Sequence, residues 1–262
     1  MKNLYLIFNV LILVSSAAFA QIIEIDFGKP NSIDPALYGR YMNLCGPAQE
    51  FTKSDLKLYQ EQFTRLKLVR IWGTSYIQYA ASMADEALMV FGQLNQFQKF
   101  LQGKISESEY ILYIKKKIQE TKEKYPFLTY IEPFNELTPK HIKLPKGVKI
   151  EEAYYRGYRA CCRAVNELNR EHSYKKPIKI GGCATMWPQY IKNYIKNFLA
   201  YYVKDKDPGK RLDFISVHCY MDDFNKITSF RTDIEKILKE FNIAPVLLIM
   251  SEVGWKETGA QK

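Results

Sequence analysis

The sequence has little of the chemistry that binds metal ions tightly. Its 262 residues include five cysteines and three histidines, and no Cys-x-x-Cys pair occurs. Zinc sites usually combine such closely spaced pairs, so the spacing predicts no metal site, and we expect no metal or other cofactor. The odd cysteine count leaves at least one thiol unpaired, while one or two disulfides can form among the others in an oxidising compartment.

Long apolar runs are also scarce, and the clearest one lies at the start of the chain. A positively charged beginning precedes an apolar stretch over residues 4–14 and a small-residue ending at Ala20. This pattern predicts a signal peptide over residues 1–20, because the apolar run is shorter than the about 20 residues of a spanning helix. A membrane anchor is the alternative. We therefore expect a secreted or periplasmic protein made of residues 21–262, a length that suits one barrel of about 250 residues.

No internal repeat and no low-complexity segment is present, and the main compositional bias is a formal net charge of +10. A basic surface can attract a polyanion such as an acidic polysaccharide or a nucleic acid. Many lysines, however, fall in helix-like runs such as residues 115–117 and 122–124, which favours a solvated outer ring of helices. The charge therefore does not identify the substrate. We expect no nucleic-acid partner and, after signal cleavage, no membrane partner.

Short apolar runs alternate with amphipathic stretches along the chain, which is typical of repeated βα units. The runs predict seven strands, over residues 37–42, 68–72, 87–94, 128–134, 178–180, 214–220 and 246–250. We therefore predict the α/β class and a (β/α)8 TIM-type barrel. The seventh predicted strand ends at residue 250 of 262, whereas a further βα unit needs about 30 residues. The sequence therefore predicts a barrel truncated after the seventh strand, without its eighth βα unit.

Reactive side chains recur where the predicted strands end. In an α/β barrel the active site forms at the carboxyl ends of the strands, so these side chains are expected to meet. They are Arg70, Asn135, Glu136, His218, Tyr220 and Glu252. His218 and Tyr220 are two residues apart and share one face of their strand, whereas Cys219 points to the other face. A hydrogen-bonded core histidine is the alternative for His218.

The two glutamates of this set have a recognisable setting. Asn135 and Glu136 follow an apolar strand, and Glu252 ends another strand 116 residues later (252 − 136). This arrangement resembles clan A of the glycoside hydrolases, in which the acid/base ends strand four behind an asparagine and the nucleophile ends strand seven. The resemblance implies a retaining, two-carboxylate mechanism. In it Glu136 is the acid/base, protonated at rest, and Glu252 is the ionised nucleophile.

Three further segments narrow the resemblance to glycoside hydrolase family 39 and its relatives. Residues 213–220 are similar to that family's strand-six signature, in which an aspartate precedes Phe-Ile-Ser and a His-x-Tyr follows. Residues 33–39 are similar to the start of its barrel, and residues 251–255 to its nucleophile segment. The chain departs from many relatives at Leu137, where those relatives have a proline directly after the acid/base.

The resemblance also implies roles for the residues around the two glutamates. Arg70 would hydrogen-bond Glu252 and keep it anionic, and Asn135 would contact the sugar 2-hydroxyl. His218 and Tyr220 would orient Glu252 or line the site. Three tryptophans are candidate sugar-stacking platforms: Trp72, Trp187 and Trp255, of which Trp255 is favoured because it lies just past the nucleophile. For each of them a place in the hydrophobic core is the alternative.

These expectations together predict a retaining O-glycosidase that acts on an oligo- or polysaccharide, with a β-linked or uronic-acid-type glycoside as the bond cleaved. Two alternatives stay open. A carbohydrate-binding pseudoenzyme would share the barrel without turnover. A lyase or aldolase would use a Schiff-base lysine or a carboxylate metal cluster at the strand ends, and the predicted strand ends carry neither.

Overall fold

The computed structural model describes residues 41–44, 66–72, 77–187, 189–221 and 227–255. The strands are β1 (Tyr41–Leu44), β2 (Leu66–Trp72), β3 (Ala84–Phe91), β4 (Leu128–Pro133), β5 (Lys179–Trp187), β6 (Phe214–Met221) and β7 (Leu247–Trp255). The helices are α1 (Ile77–Met83), α2 (Leu94–Leu101), α3 (Glu107–Lys124), α4 (Ile150–Glu171), α5 (Lys196–Lys204) and α6 (Ile227–Glu240). A π-helical turn, Ile191–Ile195, leads into α5. The predicted signal peptide and residues 33–39 lie outside the described residues.

All strand pairings are parallel, and the strands follow one another in the sheet in chain order from β1 to β7. Parallel neighbours need crossover connections, which the helices provide from β2 onward. The predicted α/β class is therefore confirmed, as a curled half-barrel of parallel strands that alternate with helices. Closure into an eight-stranded barrel stays a prediction, since the described residues contain seven strands. Among the helices described, none combines the length and apolarity that crossing a bilayer requires.

The two faces of the sheet carry different side chains. One face packs against the helices and contributes to the large hydrophobic core. A separate apolar cluster consists of Leu68, Leu88, Tyr130 and Phe214. Side chains two positions apart on a strand share a face, so Arg70, Glu132 and Ser216 lie on the face of this cluster, one step nearer the carboxyl end. An apolar layer therefore supports a polar layer, as in the interior of a barrel.

Strand β5 is longer than predicted, and its two glycines explain why. The sequence pattern predicts a short strand over residues 178–180 that runs into Gly181 and Gly182, yet the strand continues through both glycines to Trp187. A Cβ on Gly181 would overlap Phe214, and a Cβ on Gly182 would overlap the hydroxyl of Tyr154. The glycines thus allow close packing against β6 and α4 rather than a turn.

The described cysteines form no disulfide with one another, so the disulfides that the sequence allows are absent among them. Cys161, Cys162, Cys183 and Cys219 are free and buried. Burial raises the pKa of Cys162 to about 11 and also raises the pKa values of the other three thiols. Cys45 lies outside the described residues.

Because a thiolate is the reactive form of cysteine, these buried thiols should be slow to react. We expect at most one of the five thiols to react with dithionitrobenzoate in the folded protein, and all five after unfolding in guanidinium. Rapid reaction of two or more thiols before unfolding would contradict the burial described here.

Candidate active site

The predicted site residues come together at the carboxyl end of the sheet. β2 carries Arg70, the loop after β4 carries Asn135 and Glu136, β6 carries His218 and Tyr220, and β7 carries Glu252. The prediction that Glu252 ends its strand is wrong, because β7 continues to Trp255 and Glu252 lies inside it. The side chain of Trp255, a predicted site residue, lies outside the described side chains.

Arg70 is the centre of this site and is only 4% exposed. Its Nε donates to Oε2 of Glu132 at 2.7 Å, and its Nη1 donates to Oε1 of Glu252 at 2.7 Å. Its Nη2 donates to Oδ1 of Asn135 at 2.8 Å. A guanidinium presents its donors in a rigid planar fork, so this one side chain fixes two carboxylates and an amide. The bond between Arg70 and Glu252 that the resemblance implies is present.

Glu132 belongs to the site and was missed by the sequence reasoning. Its side chain is fully buried, and Oε2 contacts both Nε and Nη2 of Arg70, the second at 2.6 Å. Its other oxygen, Oε1, is buried and has no hydrogen-bond partner among the residues that the structure describes. A signal was available, because Glu132 is the one charged residue of an otherwise uncharged strand, LTYIEP. A carboxylate in such a strand needs a buried cation, and Arg70 is that cation.

His218 is fully buried and lies between the two predicted catalytic glutamates. Its Nδ1 is 2.7 Å from Oε1 of Glu136 and 3.5 Å from Oε2 of Glu252. Its Nε2 is 3.4 Å from Nη2 of Arg70. Because a guanidinium only donates, Nε2 faces it as an acceptor, which assigns the ring proton to Nδ1 and makes His218 a donor to Glu136. The histidine is therefore buried and hydrogen-bonded, but its partners are site residues.

Both oxygens of Glu252 are held by donors. Arg70 donates to Oε1, and the Tyr220 hydroxyl donates to Oε2 at 2.5 Å. The side chain of Glu252 is 12% exposed. Two donors on one carboxylate, from two different strands, fix both its position and the direction of its lone pairs.

The main-chain conformation around Glu136 sets the position of its side chain. It lies at φ +44°, and Phe134 lies at φ +60°. Left-handed backbone is unfavourable for residues with a side chain and persists only where the surroundings impose it. The Glu136 N–H donates to the carbonyl of Ala184 at 2.8 Å, and the Phe134 N–H donates to that of Phe91 at 3.1 Å. The strands on both sides of β4 therefore hold this loop in place.

The protonation of Glu136 differs from the expectation. The hydrogen bond from His218 lowers the pKa of Glu136; burial opposes this, and the charges of Arg70 and His141 add to the lowering. This direction favours the ionised form of Glu136 in the unliganded site, whereas the resemblance implies a form that is protonated at rest. Since the folded pKa lies below the unfolded one, the contact stabilises the fold at neutral pH, and this contribution is lost as the pH falls through the folded pKa.

The two glutamates are close enough to act on one atom. One oxygen of Glu136, one nitrogen of His218 and one oxygen of Glu252 all lie within 4.8 Å of one another. Such a trio is also a common metal-ligand set. Here, however, the Nδ1 proton of His218 points at Glu136, and the guanidinium of Arg70 binds Glu252. The atoms that a cation would need are already engaged, which favours chemistry by the carboxylates themselves.

The predicted stacking tryptophans have different environments. Trp72 ends β2 and is 40% exposed, and the Arg70 guanidinium carbon lies 5.7 Å from its ring centroid. Trp187 is 1% exposed and packs edge-on against Phe230, so it cannot stack on a sugar and that prediction is wrong. Among the tryptophans whose side chains the structure describes, Trp72 is therefore the one whose ring is exposed at the site and available to a sugar.

No protein-family model matches the chain, and no curated protein matches its sequence. The solved structures that are similar to it include two glycoside hydrolases. One is a GH128 (subgroup VI) exo-β-1,3-glucanase from Aureobasidium namibiae, with 17% identity and a TM-score of 0.49, covering 83% of this chain and 71% of that one. The other is a GH128 (subgroup IV) endo-β-1,3-glucanase from Lentinula edodes, with 14% identity and a TM-score of 0.43, covering 79% and 68%.

Proposed function

We propose that the chain is a retaining glycoside hydrolase that acts on an oligo- or polysaccharide, with Glu252 as nucleophile and Glu136 as acid/base. The observation that carries the proposal is the approach of the two carboxylates across His218, with oxygens within 4.8 Å. Retaining glycosidases hold their carboxyl groups about 5–5.5 Å apart, whereas inverting ones leave about 6.5–9.5 Å for a water molecule. The nearest oxygens of the two carboxylates are thus compatible with the shorter, retaining separation, in which a carboxylate rather than a water molecule attacks.

In the first step, Glu252 attacks the anomeric carbon while the bond from that carbon to the leaving oxygen breaks. Arg70 and Tyr220 hold the attacking carboxylate in place. Asn135 accepts from Arg70 through Oδ1, so its NH₂ group is turned outward as a donor. That donor suits the sugar 2-hydroxyl, whose hydrogen bonds strengthen in the oxocarbenium-like transition state.

The same first step needs a proton for the leaving oxygen. Oε1 of Glu136 accepts from His218, so we assign the transferred proton to Oε2. Glu136 is 35% exposed in the unliganded site, and a bound sugar would remove water from it. Desolvation raises the pKa of a carboxylate, which would bring Glu136 toward its acid form only in the complex.

In the second step, Glu136 acts as the base. It takes a proton from water, the water oxygen bonds to the anomeric carbon, and the ester to Glu252 breaks to release the sugar. The lowered pKa of Glu136 beside His218 suits the ionised form that this step requires.

Membership of clan A, and of family 39 within it, is part of the proposal and rests on Asn135-Glu136, on Glu252 and on residues 213–220. Export from the cell, as a secreted or periplasmic protein, likewise rests on residues 1–20. The second candidate function, a carbohydrate-binding pseudoenzyme, is favoured by the hydrogen bond from His218 that lowers the pKa of Glu136 and so disfavours its acid form. A protein that binds a sugar but never turns over a glycoside of that sugar would support this candidate.

The acid/base role is tested by Glu136→Gln with substrates that differ in leaving group. A poor leaving group needs the proton, so its hydrolysis should slow by about 10²–10⁴-fold. A dinitrophenyl glycoside, whose leaving group needs no proton, should lose far less in its glycosylation step. Glu120→Gln, an exposed residue on α3, is the control and should match the wild type. Equal slowing of the glycosylation step of both substrates by Glu136→Gln would refute the acid/base role.

A further inference from the structure

Two aromatic side chains stand apart from the others in their exposure. Among the Trp, Tyr and Phe side chains whose burial the structure describes, only Trp72 (40%) and Tyr190 (48%) are more than about a third exposed. Trp72 ends β2, and Tyr190 follows the carboxyl end of β5. Both therefore lie at the sheet edge that carries the two glutamates, although they are far apart in the sequence.

We infer that Tyr190 forms a subsite for the sugar on the leaving-group side of the scissile bond, and that Trp72 forms the subsite on the opposite side. The inference rests on the proposed glycosidase function and adds the orientation in which the substrate binds. Aromatic rings offer flat apolar faces with low conformational freedom, and the C–H faces of a sugar ring pack on such surfaces through dispersion and loss of hydration.

The position of Tyr190 follows from the sheet register. Met186 on β5 pairs with His218 on β6, and the Tyr190 N–H donates to the Met186 carbonyl at 3.1 Å. Tyr190 therefore lies one turn beyond the level of His218, which itself contacts Glu136. On the other side, β5 is bonded to the acid/base loop through the Glu136 N–H and the Ala184 carbonyl.

The segment after Tyr190 is built to hold it there. It is the π-helical turn Ile191–Ile195, in which Tyr194 and Ile195 are buried. The Tyr194 ring packs edge-on against Tyr154 at 5.5 Å, which joins the turn to α4. π-helical turns are rare and are often found at functional sites. An exposed ring on an anchored turn is a preorganised surface, which reduces the entropy lost on binding.

The direction follows from the two chemical roles. The acid/base must lie beside the leaving oxygen, and β5 with Tyr190 is the sheet neighbour of β4, which precedes Glu136. The nucleophile must lie beside the anomeric carbon of the retained sugar. Trp72 adjoins Arg70, whose guanidinium binds the nucleophile Glu252. The retained sugar is thus placed toward Trp72 and the departing sugar toward Tyr190.

The test measures each variant with two kinds of substrate. β-Glycosyl fluorides of glucose, xylose and glucuronic acid have a leaving group without a ring, whereas β-linked disaccharides of the same sugars place a ring on the leaving side. Tyr190→Ala should lower kcat/KM for the disaccharide by about ten-fold and leave that for the fluoride within about two-fold. Tyr190→Phe keeps the ring and should restore the disaccharide rate. Trp72→Ala should lower both rates together.

Leu112→Ala is the matched control, because Leu112 is 65% exposed on α3; it should change neither rate. If Tyr190→Ala leaves the disaccharide rate unchanged, or lowers both rates equally, the subsite is refuted while the glycosidase stands. If the wild type cleaves fluorides but no disaccharide, the subsite is refuted as well. If the wild type cleaves neither kind of substrate, the proposed function fails, and the inference fails with it.

Discussion

A deoxyfluoro glycosyl fluoride of matching configuration is expected to inactivate the protein and to leave its sugar covalently attached to Glu252. The fluorine at the sugar's second carbon slows both steps by destabilising the oxocarbenium-like state, while the reactive leaving group lets the first step proceed, so the glycosyl ester accumulates. Peptide mass spectrometry after proteolysis locates the sugar. We expect a single modified peptide, the one that contains Glu252.

Glu252→Ala is the companion variant and should reduce turnover by at least about 10⁴-fold. Azide should restore part of the activity toward an activated glycoside, because its terminal nitrogen can bond to the anomeric carbon from the vacated face as the leaving group departs. The product should be a glycosyl azide of inverted configuration. Glu120→Ala, exposed on α3, should behave as the wild type. A label on any other residue, or an azide product of retained configuration, would refute the assignment of Glu252.

The second large effect is expected for Arg70→Leu, which removes the cation that contacts both Glu132 and Glu252. Glu132 is fully buried, so its charge would be left without its partner. Breaking a buried pair by removing one member costs about 3–5 kcal/mol. We therefore expect urea unfolding to show a loss of this size in the free energy of unfolding. We also expect kcat to fall by about 10²-fold or more, because Glu252 and Asn135 lose a shared donor.

A double variant separates these two effects. Arg70→Leu with Glu132→Leu removes the stranded carboxylate as well as the cation, and replacing a buried ion pair by apolar residues is often neutral in stability. The double variant should regain most of the lost stability but none of the activity. If it is no more stable than Arg70→Leu alone, the pair between Arg70 and Glu132 is not the source of the loss. If its activity returns, Arg70 does not position Glu252.

Much of the site was predictable because parallel strands place their carboxyl ends at one edge. The sequence positions of Asn135, Glu136 and His218 relative to their strands were sufficient to expect that they meet. Glu132 and its bond to Arg70 required more, since the partner of a buried charge on a neighbouring strand depends on the register of the whole sheet. Which ring nitrogen of His218 donates could not be predicted from sequence either, because it depends on the guanidinium of Arg70 that lies beside Nε2 in the folded protein.

The strand limits were less predictable, and the reasons are local. The third strand begins at Ala84 rather than at residue 87, because α1 ends at Met83 and the chain enters the strand without a turn residue between them. In β5, Gly181 and Gly182 serve close packing, although the same pair is a strong turn signal in sequence. Trp187 lies at a strand end as a platform would, but its ring turns into the core.

The left-handed backbone at Glu136 has a consequence for how this position can evolve. A glycine there would adopt φ +44° without the penalty of about 1–3 kcal/mol that a side chain incurs in such regions. Relief of main-chain strain alone would therefore favour glycine, and the need for a carboxylate at this point, both for the contact with His218 and for the proposed activity, opposes it. Stability and activity are thus in conflict at a single main-chain angle, and stabilising substitutions in this protein are best sought away from the loop after β4.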